Sequence, residues 1–128
     1  MEECLLIDSD VLIDYLHGYP AATSYLENLT ERQIVSVMTV AELYTGIREG
    51  SERQAVEELL KTFEIISVNE KTAITGGLFR RTFLKSHGVG IADAVIAATA
   101  EAEGATLVTL NQKHFPMLSK VVVPYRKS

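Results

Sequence analysis

A single-domain α/β fold, with a mostly parallel sheet of four to five strands and helices on both faces, is what this sequence predicts. Short apolar runs such as Leu5-Leu6-Ile7 stop at a polar residue, as strands buried on both faces do. These runs alternate with stretches of helical periodicity, and the connections are long enough for right-handed crossovers between parallel strands. Composition agrees: 47% hydrophobic residues with only 7% aromatic and no Trp describe a core of Leu, Ile, Val and Ala, which suits helices laid on a sheet. At 128 residues the chain is one domain (1–128), burying roughly two thirds of its unfolded surface.

In order, Leu5-Leu6-Ile7 is the first strand, Asp8-Ser9-Asp10 an acidic corner, and Val11, Leu12, Tyr15 and Leu16 mark a helix. Pro20 opens a helix over residues 20–29, since its fixed φ suits a first turn. Residues 33–37 read as the second strand. Thr39 and Glu42 have capping-box spacing at the head of a helix over 39–48, closed by Gly50. Ser51 and Gln54 repeat that spacing before a helix over 55–63, and residues 64–68 read as the third strand. Asn69 caps a helix running to about Ser86, in which Gly76-Gly77 marks a kink or a close packing contact. His87 to Gly90 make a turn, and residues 91–103 a helix stopped by Gly104. A fourth strand over 106–110, a short helical turn over 112–118 and an edge strand over 120–123 complete the chain.

Charge and cysteine usage bound the function. A net charge of −5 argues against a nucleic-acid binder with a broad basic face, so contact with a polyanion needs a metal ion or a local basic cluster. The single cysteine, Cys4, reads as a small buried hydrophobe, which fits a reducing cytoplasm. No apolar run approaches the ~20 residues that cross a bilayer, and the acidic start lacks the features of an export signal.

Four polar residues are candidates for chemistry, and three of them stand where an α/β sheet places it, outside the carboxyl ends of strands. Asp8 ends the first strand and is the first candidate. Glu42 follows the second; taken alone it is a capping glutamate, yet Val40, Ala41, Leu43 and Tyr44 around it suggest a more enclosed site. Asp93 is the only charge in the first three turns of an otherwise apolar helix. A first-turn acid suits the helix dipole, but among small apolar residues an ionised carboxylate needs a partner. Asn111 follows the fourth strand, where an N-cap role accounts for it. Asp10 reads as either an N-cap or an acid supporting Asp8, and Asp14 as part of a solvated face. Oxygen ligands of this kind favour Mg²⁺ or Mn²⁺ over zinc, and clustering them raises their proton affinity. His17, His87 and His114 do not group; of the three, His114 lies nearest the candidate site. Arg80, Arg81 and Lys85 form the one basic knot, which a solvated helix face explains as well as phosphate binding does.

Asp8 in LLIDSDVLIDYL, Glu42 in SVMTVAELYTGI, Asp93 in GIADAVIAATA and Asn111 in TLVTLNQKHF resemble, in order and separation, the four motifs of PIN-domain ribonucleases. Within that family the chain is similar to VapC-type toxins. The resemblance implies a Mg²⁺- or Mn²⁺-dependent endoribonuclease, the toxin of a type II toxin-antitoxin system, usually a homodimer and held inactive by a cognate antitoxin lying across the active-site groove. Asp8, Glu42 and Asp93 match the family's acidic positions; Asn111 stands where Asp is frequent; Ser9 and Thr109 match hydroxyl positions that arrange the site. Two alternatives remain within reach of the residues: a PIN scaffold that binds a partner with weak or no nuclease activity, and a DxD-type phosphatase. Leu12 disfavours the phosphatase, which expects Thr or Val there. A receiver-like signalling module is disfavoured by Asn69 after the third strand, where a phosphoacceptor Asp belongs.

Overall fold

The structure is a computed structural model describing residues 3–127. Its centre is a five-stranded parallel sheet in the order β3-β2-β1-β4-β5, formed by β1 (Cys4–Ile7), β2 (Arg32–Ser36), β3 (Glu64–Ile66), β4 (Thr106–Val108) and β5 (Val121–Val122). Six helices connect them: α1 (Ser9–Leu16), α2 (Pro20–Glu27), α3 (Val37–Thr45), α4 (Ser51–Leu60), α5 (Glu70–His87) and α6 (Ile91–Glu103), with a 3₁₀ turn at Gln112–His114. No helix among the described residues is long and apolar enough to cross a membrane.

Strand alternation splits the core in two. Leu5 and Ile7 of β1, Val35 of β2 and Val108 of β4 face one cluster, closed by Val11, Leu12, Leu26, Leu43 and Val56 from α1 to α4. Cys4, Leu6, Ile34 and Leu107 face the other, closed by Ile96, Ala97 and Ala100 of α6 and by Phe115. Each fully buried aliphatic side chain contributes roughly 1.5–3 kcal/mol, so a sheet apolar on both sides holds a helical layer on each.

Topology sets where a site can form. From β1 the chain moves outward through β2 to β3, then returns to lay β4 on the opposite side of β1. Leu5 pairs with Thr106 and Ile7 with Val108, and the Asp8 N–H donates to the Val108 carbonyl at 2.9 Å. The crevice outside the carboxyl ends of β1 and β4 is therefore the topological switch point, the usual ligand position in such sheets.

Several local expectations change. β2 ends at Ser36, whose hydroxyl caps α3 by accepting from the Met38 N–H at 3.1 Å, so Thr39 lies inside the first turn and the Thr39–Glu42 capping box does not form. That helix stops at Thr45 rather than Arg48. α4 begins at Ser51 from Gly50, with no side-chain cap, so the Ser51–Gln54 box is also absent; the Arg48 N–H is bound by Glu52 instead. β3, β4 and β5 are shorter than their apolar runs, because pairing ends where the adjacent strand ends. α2 closes at Glu27. Asn69 caps α5 as expected, its Oδ1 accepting from the Thr72 N–H at 2.9 Å, and Gly104 ends α6 at φ 63°.

Of the two α5 glycines, one is a packing contact. A Cβ on Gly76 would lie 2.9 Å from Val95 Cγ2 and 3.0 Å from Val95 Cα on α6, whereas a Cβ on Gly77 meets nothing. Gly76→Ala should therefore destabilise the fold by about 1–3 kcal/mol despite alanine's better helix propensity, while Gly77→Ala should stabilise it by up to ~1 kcal/mol. Denaturant melts of the two variants check this pair of opposite signs.

Candidate active site

Asp8 sits at the switch point, 5% exposed, as the N-cap of α1. Its Oδ1 accepts from the Ser9 N–H at 2.8 Å and its Oδ2 from the Thr109 hydroxyl at 2.8 Å. Asp10 reaches the same loop from α1: its Oδ2 accepts from the Leu110 N–H at 2.9 Å and faces the Thr109 hydroxyl at 3.2 Å. Asp10 is thus no N-cap; it ties the start of α1 to the segment after β4. Thr109, fully buried, completes the knot by accepting from the Asn111 N–H at 3.1 Å.

Glu42 projects from the second turn of α3, free of the capping duty its spacing suggested. Its Oε1 and the Thr39 hydroxyl, one turn earlier on the same helix, are the two buried side-chain atoms without a hydrogen-bond partner among the described residues. An unmade hydrogen bond on a buried carboxylate costs on the order of 1–3 kcal/mol, which makes Glu42 Oε1 a ligand atom in search of a cation or water.

Asp93, in the first turn of α6, is half-buried, and its Oδ2 lies 3.2 Å from His114 Nδ1. That nitrogen is also 2.9 Å from the Asn111 side-chain amide. Asn111 is exposed and does not cap the 3₁₀ turn; its side chain bonds His114 instead. His114 is the residue that sequence reasoning left outside the site. Its nearness to Asn111 in sequence was the one local signal; its contact with Asp93, 21 residues away, gave none. His17 and His87 are exposed, and His17 borders a hollow that Glu42 also lines.

Electrostatics show how the acids act on each other. Burial first, then the Asp10 charge and more weakly Asp93, push the Asp8 carboxyl up to about 7, against the lowering effect of Thr109 and Ser9. Burial likewise raises Asp10 and Glu42, and for Glu42 the charges of Asp93 and Asp10 add to it while Ser9 opposes. Asp8, Glu42 and Asp93 therefore share one field. Among the described residues no three His, Cys, Asp or Glu side chains are gathered at ligating distance of one point. The donor set is nonetheless that of a hard divalent cation: carboxylate oxygens, one of them unpaired, with proton affinities raised for want of positive charge.

Asp14 overturns its reading as a solvated residue. It is 7% exposed and accepts from the Tyr125 hydroxyl and from Lys127 Nζ, each at 2.7 Å. The last residues of the chain strap onto α1, with Lys127 also 5.1 Å from the centre of the Tyr19 ring.

Because the folded state raises Asp8 above the unfolded carboxyl value of 3.8, the metal-free protein is stabilised by this group at low pH and loses that contribution as pH climbs through about 7. Asp8→Asn should flatten the fall in unfolding free energy between pH 4 and 8, by about 2–4 kcal/mol across the window. Chemical denaturation in the presence of chelator, with parent and variant compared at each pH, measures the difference.

Comparison with known proteins accords with this geometry. Residues 5–120 match the PIN domain family. Over 124 residues the chain is 38% identical to Ribonuclease VapC10 of Mycobacterium tuberculosis, covering 94% of this chain and 92% of that protein. It is 34% identical to Ribonuclease VapC1 of Methanocaldococcus jannaschii, covering 93% and 84%. Among solved structures, a toxin-antitoxin complex from Klebsiella pneumoniae superposes with a TM-score of 0.83 at 29% identity, covering 96% of this chain and 99% of that one. VapBC2 from Rickettsia felis, bound to a DNA fragment from its promoter, gives 0.75 at 26% identity, covering 93% and 96%. With residues 5–120 matched by the family and more than nine-tenths of the chain aligned to a relative at 38% identity, this chain belongs to the PIN-domain family.

Proposed function

We propose that this PIN-domain chain is an endoribonuclease of the VapC type, the toxin of a type II toxin-antitoxin pair, and that Asp8, Glu42, Asp93 and Asn111 form its active site. The observation that carries the reading is the buried, unpaired Oε1 of Glu42 beside acids whose proton affinity is raised by burial and mutual repulsion. Such a set favours a divalent cation, Mg²⁺ or Mn²⁺, on Asp8, Glu42 and Asp93. When bound, the cation offsets charge on the scissile phosphate and acidifies water.

The chain's own groups do the rest. Thr109 and the Ser9 N–H fix both oxygens of Asp8, so its carboxylate is pre-aimed. Glu42, raised in proton affinity, is suited to orient a water and take its proton for in-line attack, leaving a 5′-phosphate and a 3′-hydroxyl. His114 contacts Asp93 and is itself held by the Asn111 amide.

An antitoxin partner is supported by the complexes that the solved relatives form. A hollow of about 480 Å³ between α1, α3 and α4, apolar along Ile13, Leu16, Ile47 and Val56 and reaching Glu42, is a fitting seat for a partner segment. For the homodimer, Ile74 and Leu78 lie on one exposed face of α5, at 56% and 45% exposure. A purely partner-binding scaffold has no observation in its favour beyond Asn111 standing where an acid is frequent.

Purified chain freed of any partner should cut structured RNA with Mg²⁺ or Mn²⁺, and chelator should stop it. Asp8→Asn or Asp93→Asn should lower the rate at least a hundredfold, in keeping with the weight of pre-aimed charged groups in hydrolytic sites. The same variants should lose the rise in Tm that Mn²⁺ gives the parent, a readout independent of turnover. Cleavage that survives both chelation and substitution defeats the reading.

A further inference from the structure

The acidic balance of this chain is not spread evenly. Residues 1–70 carry fourteen acidic and four basic side chains, residues 71–128 three acidic and eight basic, giving −10 and +5. Between Glu70 and Asp93 there is no acid, and none follows Glu103. The cations also differ in occupation. In the first part Arg32, Arg48, Arg53 and Lys61 are each paired with a glutamate, whereas Arg80, Arg81, Lys85 and Lys113 make no ion pair among the described residues.

Part of this unspent charge borders a hollow beside the acids. Ser86 and His87 at the end of α5 face Gln112, Lys113, His114 and Pro116 across an open space of about 560 Å³. His114 belongs to both regions, since its Nδ1 contacts Asp93 and Asn111. His87, one of the residues lining the hollow, is held by Ser86 Oγ at Nδ1 (2.8 Å) and stands edge-on to Phe83. Arg80, seven residues before His87, lies on the same side of α5. The carboxyl end of α5 brings a partial negative charge that disfavours an anion. Lys85 in its last turn offsets that charge.

We propose that this hollow is a binding subsite for an RNA backbone phosphate flanking the cleaved bond, with Lys113 and His87 as its donors and Arg80 extending the track along α5. The proposal rests on the ribonuclease reading and deepens it. It explains how a chain of net charge −5 engages a polyanion: the strand approaches over the basic α5 edge and reaches the acids only at Asp93. A phosphate-directed contact of this kind positions the strand without reading its sequence.

Binding without turnover tests it. In the Asp8→Asn chain without added metal, a short fluorescein-labelled single-stranded RNA is titrated by anisotropy at several KCl concentrations, alongside His87→Gln/Lys113→Gln on that background and Lys61→Gln as a control on the acidic side. The double variant should bind roughly tenfold more weakly with a salt slope reduced by about one, equally for RNAs of different sequence, and the control should match the parent. Unchanged affinity and slope in the double variant overturn the subsite. Arg80→Gln, tested singly, should weaken binding in the same direction, and its indifference together with that of the double variant would leave the face to an acidic protein segment. If the wild-type chain cleaves RNA while these variants bind normally, only the subsite falls; if it neither cleaves nor binds RNA, the ribonuclease reading falls too.

Discussion

A buried hydroxyl stands at the junction of the two halves of this protein's site. Thr109, at the end of β4, donates to Asp8, at the end of β1, and its oxygen in turn accepts from the loop that carries Asn111. Everything that concentrates acids here depends on those two strands lying side by side with Ile7 opposite Val108, because that register places residues 8 and 109 abreast. A parallel sheet makes this possible only where its strand order reverses, with helix starts on either side.

The site is costly to the fold that carries it. Asp8 is almost fully out of water, next to Asp10 and within the field of Asp93, and its hydrogen bonds do not offset the loss of hydration. Glu42 adds a buried oxygen with no partner. Stability is recovered elsewhere, in the two apolar layers on either face of the sheet and in the tight seat of α5 on α6 at Gly76. Such a division of labour, strain at the site and consistency around it, is the usual mark of a functional centre.

Much of this architecture was legible in the residues. The β1 run, the Ala-rich α6 with its Gly104 stop and the Asn69 cap all depend on local chemistry, and they appear as read. Boundaries failed where two neighbours offered the same chemistry: Ser36 and Thr39 are both good caps, and pairing of β2 with β1 and β3 decides for Ser36. The capping role that Glu42 suggested when taken alone is consequently absent. The missed contacts are the non-local ones. Asp14 looks like any exposed helical acid until residues 111 and 113 positions later cover it, and the contact of His114 with Asp93 spans 21 residues. Asp8, Glu42 and Asn111 were visible after strand ends, Asp93 as the lone charge of an apolar helix, and all four by resemblance to a family; the side-chain partners of Asp8 and Asp93 were not, because those partners come from other elements.

The central strand also imposes an order in time. β1 finds β2 within some thirty residues, but its other neighbour, β4, comes a hundred residues further along, as do the donors that Asp8 and Asp10 need. During synthesis the amino-terminal acids emerge early, with no Thr109 or Leu110 to receive them, and the nascent chain holds dispersed carboxylates rather than an assembled centre. The acids of β1 and α1 therefore wait for β4 and the segment after it, and the site is completed only once that later part of the chain has joined the sheet.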